Sequence, residues 1–391
     1  MPRPPKFAKL RSHLACEAPG FERIALLLQG GGALGSYQGG VYQALAEANL
    51  HPHWVAGISI GAVNAALIAG NPPEHRLARL REFWEKITET PFGGPSLHDM
   101  AVKGDLAHAA VNQVRAFFTL LGGAPGFFTP RTPPPYLQPQ GSAEALSFYS
   151  VDPLKATLER LVDFDRINAG EVRFSVGAVN VRSGNFVYFD NTTHHIGAEH
   201  IIASGSLPPG FPATEIEGEH YWDGGIVSNT PLQWVLDNRP RQDTLAFQVD
   251  LWSASGELPR NLVEADERQK DIRFSSRTRA GTDQFKHAQI LRRAAETLLK
   301  KLPPELRDTP EAQLLADEAD MKVYNIIQLI YRARNYEGAS KDYEFSRRTM
   351  EEHWQSGYHD AVRTLRHPEV LLRPDGPDGV FTFDLLRQGR E

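Results

Sequence analysis

The stretch Val55–Gly70, VAGISIGAVNAALIAG, decides how the rest of the chain is read. Its first residues, with Trp54 ahead of them, form a short apolar run suited to a buried strand. From Ala62 to Ile68 the spacing becomes that of a small-residue helix. Between the two lies Gly57-Ile58-Ser59-Ile60-Gly61. A serine in a strand-to-helix turn stands clear of the backbone, with the unpaired N–H groups of the first helical turn close by. Gly57 and Gly61 leave room for that turn where a Cβ would crowd it. The pentapeptide alone would also suit a tight turn packed for shape; its strand–turn–helix setting favours chemistry.

Upstream, Ile24–Leu28 (IALLL) is a second buried-strand candidate, followed by Gln29, the turn Gly30-Gly31-Gly32-Ala33-Leu34-Gly35 and a helix from about Ser36 to Ala48. Two successive strand–turn–helix units predict a mostly parallel sheet covered by helices. The glycine turn satisfies G-x-G-x-x-G, but a dinucleotide site wants an acidic residue about 20 positions further on. That neighbourhood holds His51, Pro52, His53 and Trp54, and no G-K-[ST] follows the turn either. What remains is a nest of N–H donors able to hold a negative oxygen, with close helix–strand packing as the alternative use of the glycines.

Downstream, Arg76–Glu89 has the spacing of an amphipathic helix, and helix-like sequence returns over Asp105–Phe118. Phe117–Phe128 and the prolines after it read as loop: a lid or lipid-facing rim within 100–140, or a segment packed over the sheet. Arg173–Asn180 and Asn185–Asp190 form a hairpin, and a helix from Ala198 stops at the proline-rich Ser206–Pro212. Tyr221-Trp222-Asp223-Gly224-Gly225 precedes a helix from about Pro231 and a strand at Thr244–Val249. Beyond residue 256 the chain becomes helical and basic. Asp271–Lys301 carries Arg277, Arg279, Lys286, Arg292, Arg293, Lys300 and Lys301. One added strand is expected at 322–331, then a long amphipathic helix over Phe345–Leu365 and a short tail after Pro368. The organisation expected is a loose segment 1–20, an α/β catalytic domain 21–255 and a helical extension 256–391 packed on it.

Composition narrows the function. With 391 residues, 41% hydrophobic and 23% charged, the chain is neither disordered nor membranous as a whole. A net charge of -6 gives no general pull towards nucleic acid. The single cysteine, Cys16, excludes an intrachain disulfide framework and a Cys-based zinc site. No stretch is long and apolar enough to span a bilayer, so a cytoplasmic protein is expected, with membrane contact only peripheral. The basic run is the kind of sequence that usually forms a solvated face. Beside a Phe-rich rim it also suits an anionic lipid surface.

Serine is inert as a nucleophile until a base takes its proton, and acyl transfer needs donors preorganised for an oxyanion. Asp223, between aromatic residues and two glycines, sits where burial would keep it oriented. Histidine is the ordinary base. His194, His195, His200 and His220 precede Asp223, and His287, His353, His359 and His367 follow it. None lies in a comparably glycine-lined turn, so residue types alone leave the base open.

Taken together, four blocks in this order resemble the patatin-like phospholipase family: Gly30–Gly35, Gly57–Gly61, Ala203-Ser204 through Pro208, Phe211 and Pro212, and Asp223-Gly224-Gly225. They span Arg23 to Pro231. The C-terminal part resembles an extension of a bacterial branch of that family, most clearly at SRRTMEEHWQSGYHDAVRTL, Ser346–Leu365. The resemblance implies a three-layer, doubly wound α/β hydrolase that needs neither metal nor cofactor. It implies a Ser59–Asp223 dyad, an oxyanion hole from Gly30, Gly31 and Gly32, and supporting turns at Gly35, Gly57, Gly61, Gly224 and Gly225. Many members carry Arg or Lys where this chain has Leu34. The hole then rests on backbone N–H groups, and ester hydrolysis is the firmer implication than a preference for charged head groups. The substrate implied is an acyl ester of a lipid. The alternatives are a short-chain carboxylesterase or thioesterase, and a non-enzymatic lipid-binding protein, against which the intact Ser59 and Asp223 argue. Oligomeric state has no signature in the sequence.

Overall fold

Strands β1 (Arg23–Leu28) and β2 (Trp54–Ile58) are buried along their whole length, as continuous apolar runs must be when helices cover both faces of a sheet. They pair in parallel with Leu28 opposite Gly57, which sets the glycine turn and the serine turn side by side at one edge. The computed structural model describes residues 9–16, 19–89, 105–275, 278–333 and 337–385. Part of the expected lead-in, the start of the expected lid at 100–104 and Arg277 lie outside the described residues.

The remaining strands are β3 (Thr129–Pro130), β4 (Tyr149–Ser150), β5 (Arg173–Asn180), β6 (Phe186–Asp190), β7 (Thr214–Ile216), β8 (Glu219–Asp223), β9 (Thr244–Asp250), β10 (Tyr324–Ile330) and β11 (Val380–Phe383). Among the described residues the main sheet runs β11-β10-β9-β1-β2-β5-β8-β7, with β6 also on β5. It is parallel from β11 to β5 and antiparallel at β6, β7 and β8. Successive side chains of a strand face opposite ways. Leu26 and Leu28 therefore join a core with Val63, Trp84 and Trp354, while Ala25 and Leu27 join a second with Leu236, Phe285 and Tyr324. Helices α1 (Ser36–Glu47), α2 (Ile60–Ala69) and α3 (Pro73–Ile87) supply the first layer together with the Arg347–Leu365 helix. The Leu232–Asp237 and Thr278–Leu299 helices supply the second. The result is a three-layer, mostly parallel α/β fold.

Strand β5 is the element that builds the site. Its residues 173–177 pair with β2, residues 175–179 pair with β6 on the other edge, and residues 178–180 pair with β8. Since β6 occupies one edge, β8 must take the other, in line with β2 and just beyond its end.

The structure departs from the sequence reading in three places. The helix expected over Asp105–Phe118 runs on to Gly122, so that Leu120 and Leu121 join Phe117 and Phe118 on α4 (Asp105–Gly122) instead of the loop, because no helix breaker occurs before Gly122. Only Phe127 and Phe128 belong to the irregular segment, and they are buried against Phe211 and Phe345 with ring centroids 5.4–6.0 Å apart. The tail after Pro368 returns as β11 at the sheet edge; four residues are too short a run to announce a strand. At the other end, residues 9–16 are tied down: the Leu10 N–H donates to the Arg366 carbonyl at 2.8 Å, and Arg366 Nε donates back at 2.9 Å.

Candidate active site

Register alone brings the two candidate catalytic residues together. Ile58, the last residue of β2, lies opposite Gly177, and Asp223, the last of β8, lies opposite the next residue, Ala178. Ser59 follows Ile58 directly and so emerges beside Asp223.

Ser59 takes φ 56° and ψ -125°, a conformation that side chains with a Cβ rarely adopt. The turn is held there from several sides. The Ser59 N–H donates to Ser204 Oγ at 3.0 Å, whose own hydroxyl donates to the Gly177 carbonyl at 2.7 Å. A Cβ on Gly57 would lie 2.2 Å from the Gly61 carbonyl oxygen, and one on Gly61 would lie 2.2 Å from that of Leu28. Any side chain at either position collides with backbone, so both glycines are required by close approach.

Asp223 is 2% exposed. Its Oδ1 accepts the Gly225 N–H at 2.7 Å. Burial pushes its pKa up to about 7, against the opposing pull of hydrogen bonding from the Ser59 side chain and from the Gly225 N–H. No charged group offsets the desolvation, so the carboxyl titrates near neutrality. Gly224 lets this turn lie on β5: a Cβ there would sit 2.6 Å from the Gly177 oxygen.

The glycine turn abuts the nucleophile, since a Cβ on Gly30 would stand 2.9 Å from Ser59 Cβ. Asn229 grips Gly30 at both polar atoms. Its Oδ1 accepts the Gly30 N–H at 3.1 Å and its Nδ2 donates to the Gly30 carbonyl at 3.0 Å. Trp252 Nε1 donates to the same carbonyl at 2.8 Å. The Gly30 N–H is therefore already engaged. Ala33 donates to the Asp342 carbonyl at 2.8 Å and Leu34 to that of Gly31 at 3.2 Å. Among the described residues, the N–H groups of Gly31 and Gly32, and those of Ile60 and Gly61 in the first turn after Ser59, have no such intrachain bond. Gly35 packs against Ile60 and Trp84, which sets α1 close to the start of α2.

Several of the candidate histidines are engaged elsewhere. His200 Nδ1 accepts the Gly197 N–H at 3.0 Å, His194 meets Thr193 at 2.9 Å, and buried His353 faces Glu337. Among the described residues none bonds to Ser59 or Asp223, and no cluster of three metal-ligating side chains occurs. Sequence reasoning gave no role to Asn229, Ser204 or Trp252. Asn229 stands in a turn four residues after Gly225, where an amide is an ordinary turn former and gives no further signal.

A family model for patatin-like phospholipase matches residues 26–236, and a second, described as patatin phospholipase, matches residues 272–376. Among solved structures, VipD from Legionella pneumophila is 15% identical, with 93% of this chain and 71% of that one covered at a TM-score of 0.40. ExoU of Pseudomonas aeruginosa, in complex with SpcU, is also 15% identical, covering 79% of this chain and 67% of that one at 0.29. No curated protein matches the chain. The first family model takes in more than half of the sequence, including both turns and Asp223. It gives a hydrolase of carboxylic esters working through a serine acyl-enzyme: the chain belongs to the patatin-like phospholipase family.

Proposed function

We propose that the chain hydrolyses acyl esters of lipids with Ser59 as nucleophile and Asp223 as general base, without a histidine. The observation that carries this reading is a buried carboxyl with a pKa near 7, paired with a serine hydroxyl in a strained strand-to-helix turn. Ionised Asp223 takes the Ser59 proton as Oγ attacks the ester carbonyl. The carbonyl oxygen becomes an oxyanion facing the N–H groups of Gly31, Gly32 and Ile60. Collapse of this intermediate expels the alcohol, which receives the proton from Asp223 and leaves Ser59 acylated. Water then attacks the acyl-enzyme, gives its proton to Asp223, and the proton returns to Ser59 as the acid departs.

Lipid is favoured over a short soluble ester by the outward face of α4. Val114, Phe117, Phe118 and Leu121 are 43–57% exposed there, while Asn112, Arg115 and Thr119 are turned inward. Contact with a bilayer would be peripheral and apolar in character, at a cytoplasmic membrane face. The charge available for anionic lipid is reduced by pairing: Lys286 with Asp378, Arg292 with Asp237 and Lys300 with Glu296.

The test is covalent labelling with a fluorophosphonate, alongside turnover of p-nitrophenyl esters of increasing chain length and of phospholipid vesicles. Wild type is expected to label and Ser59→Ala to remain unlabelled. Turnover should rise with chain length. Labelling of Ser59→Ala overturns the nucleophile; activity confined to the shortest esters replaces the lipid reading with a soluble carboxylesterase.

A further inference from the structure

The glycine turn is bounded on its outer side by the C-terminal region, and the ester chemistry above makes no use of that contact. The Ala33 N–H donates to the main-chain oxygen of Asp342 at 2.8 Å. Gly32 takes φ +55°, and a Cβ there would lie 2.1 Å from the same oxygen, so the Asp342 backbone is pressed directly on the turn. An ion pair keeps it there: Asp342 Oδ1 lies 2.5 Å from Lys270 Nζ on the Leu262–Phe274 helix, with both side chains largely shielded at 19% and 24% exposure. Buried Lys341 ties the same segment to the same helix through Asp271 at 2.7 Å and Glu267 at 3.3 Å. That helix ends at Phe274, whose carbonyl accepts from Gln29 Nε2 at 3.2 Å and Asn229 Nδ2 at 2.9 Å. One helix of the C-terminal region thus reaches both flanks of Gly31–Gly32: Gln29 through Phe274, and Ala33 through Asp342.

We propose that Lys270 and Asp342 are positioning residues for acyl transfer, forming a latch by which the C-terminal region fixes the oxyanion turn. The latch has this role only if that turn is the oxyanion hole of the ester chemistry proposed above. Three consecutive glycines have the widest conformational freedom of any tripeptide and no side chains by which the core could hold them. Oxyanion donors contribute only when preorganised. Asn229 and Trp252 pin the turn at Gly30, and the Asp342 carbonyl pins it at Ala33. Loss of the second pin leaves Gly31 and Gly32 free to turn their N–H groups away while Ser59 and Asp223 stay in place. Substrate binding is then little changed and the chemical step slows.

The test uses the full chain with Lys270→Met, Asp342→Asn and the reversed pair Lys270→Asp/Asp342→Lys. It reads kcat and KM on a p-nitrophenyl ester, the rate of fluorophosphonate labelling, and the melting temperature. Each single variant is expected to lose kcat by about tenfold or more, with labelling slowed in proportion and KM within about twofold. The reversed pair should recover most of the loss. Single variants that melt earlier yet keep the wild-type kcat overturn the latch, and so does a reversed pair as slow as either single change. Gly31→Ala separates this from failure of the site reading. A folded Gly31→Ala with full activity removes the oxyanion turn, and the latch with it. An impaired Gly31→Ala beside a fully active Lys270→Met removes the latch alone.

Discussion

Asp223 keeps its proton to near neutrality because a serine hydroxyl and one N–H are all that compensate its burial. As a base it must be ionised, so kcat/KM should climb tenfold per pH unit below about 7 and level off above it; a profile flat from pH 5 to 8 would exclude it as the base. The same shift has an opposite sign for stability. Between 3.8 and about 7 the folded chain holds a proton that the unfolded chain has lost, so stability falls as pH rises through that window. About three units at ~1.4 kcal/mol each make the cost of ionised Asp223 ~4 kcal/mol at pH 8. Asp223→Asn should therefore be nearly inactive, yet gain on wild type in urea unfolding as pH rises from 4 to 8. Ser59 and Asp223 were both legible in the sequence, as a serine and an aspartate in glycine-lined turns. Asn229 was not, because its role depends on facing Gly30, which lies far from it along the chain.

At the scale of elements, the elbow between β2 and α2 and the helix α4 behave in opposite ways. The elbow has no slack: a methyl at Gly61 would meet the Leu28 carbonyl at 2.2 Å, and that carbonyl belongs to the neighbouring strand. Gly61→Ala should destabilise by about 1–3 kcal/mol or more and lower activity further, through displacement of Ser59. Melting and turnover measured together check this; a variant with wild-type values for both would refute the requirement for glycine at this position. Helix α4 is inverted. Arg115, buried beside Glu344, and Asn112 and Thr119 face inward, and the phenylalanines face out. Replacing Phe117 and Phe118 by serine should leave the melting temperature nearly unchanged, since exposed positions rarely matter by more than about 0.5 kcal/mol. It should weaken co-sedimentation with neutral and anionic vesicles alike. Unaltered sedimentation removes α4 from the lipid contact. The sequence carries this helix only to Phe118, because Gly122, Gly123, Pro125 and Gly126 follow so closely that the last turn reads as part of the loop.

For the whole molecule, the C-terminal region is part of the sheet as well as a covering for the turn. Strand β10 pairs with β9 over its full length and β11 closes the edge. A chain ending before Tyr324 would leave β9, a wholly buried strand, as a bare apolar edge. It should be insoluble or aggregate on purification, and a soluble monomer with esterase activity would refute this. The parallel core was legible because its strands are continuous apolar runs between glycine turns. The two added strands differ: β10 announces itself in seven residues, whereas β11 is a strand only by virtue of its neighbour. The edge of β5 shared by β2 and β8 carries one more consequence. Nucleophile and base are each counted off from the same strand, like two pointers read against one ruler. The chain between them is then free to lengthen in its loops, as at Arg182–Asn185, without moving either pointer. One residue inserted between Gly177 and Ala178 would put the two marks out of step.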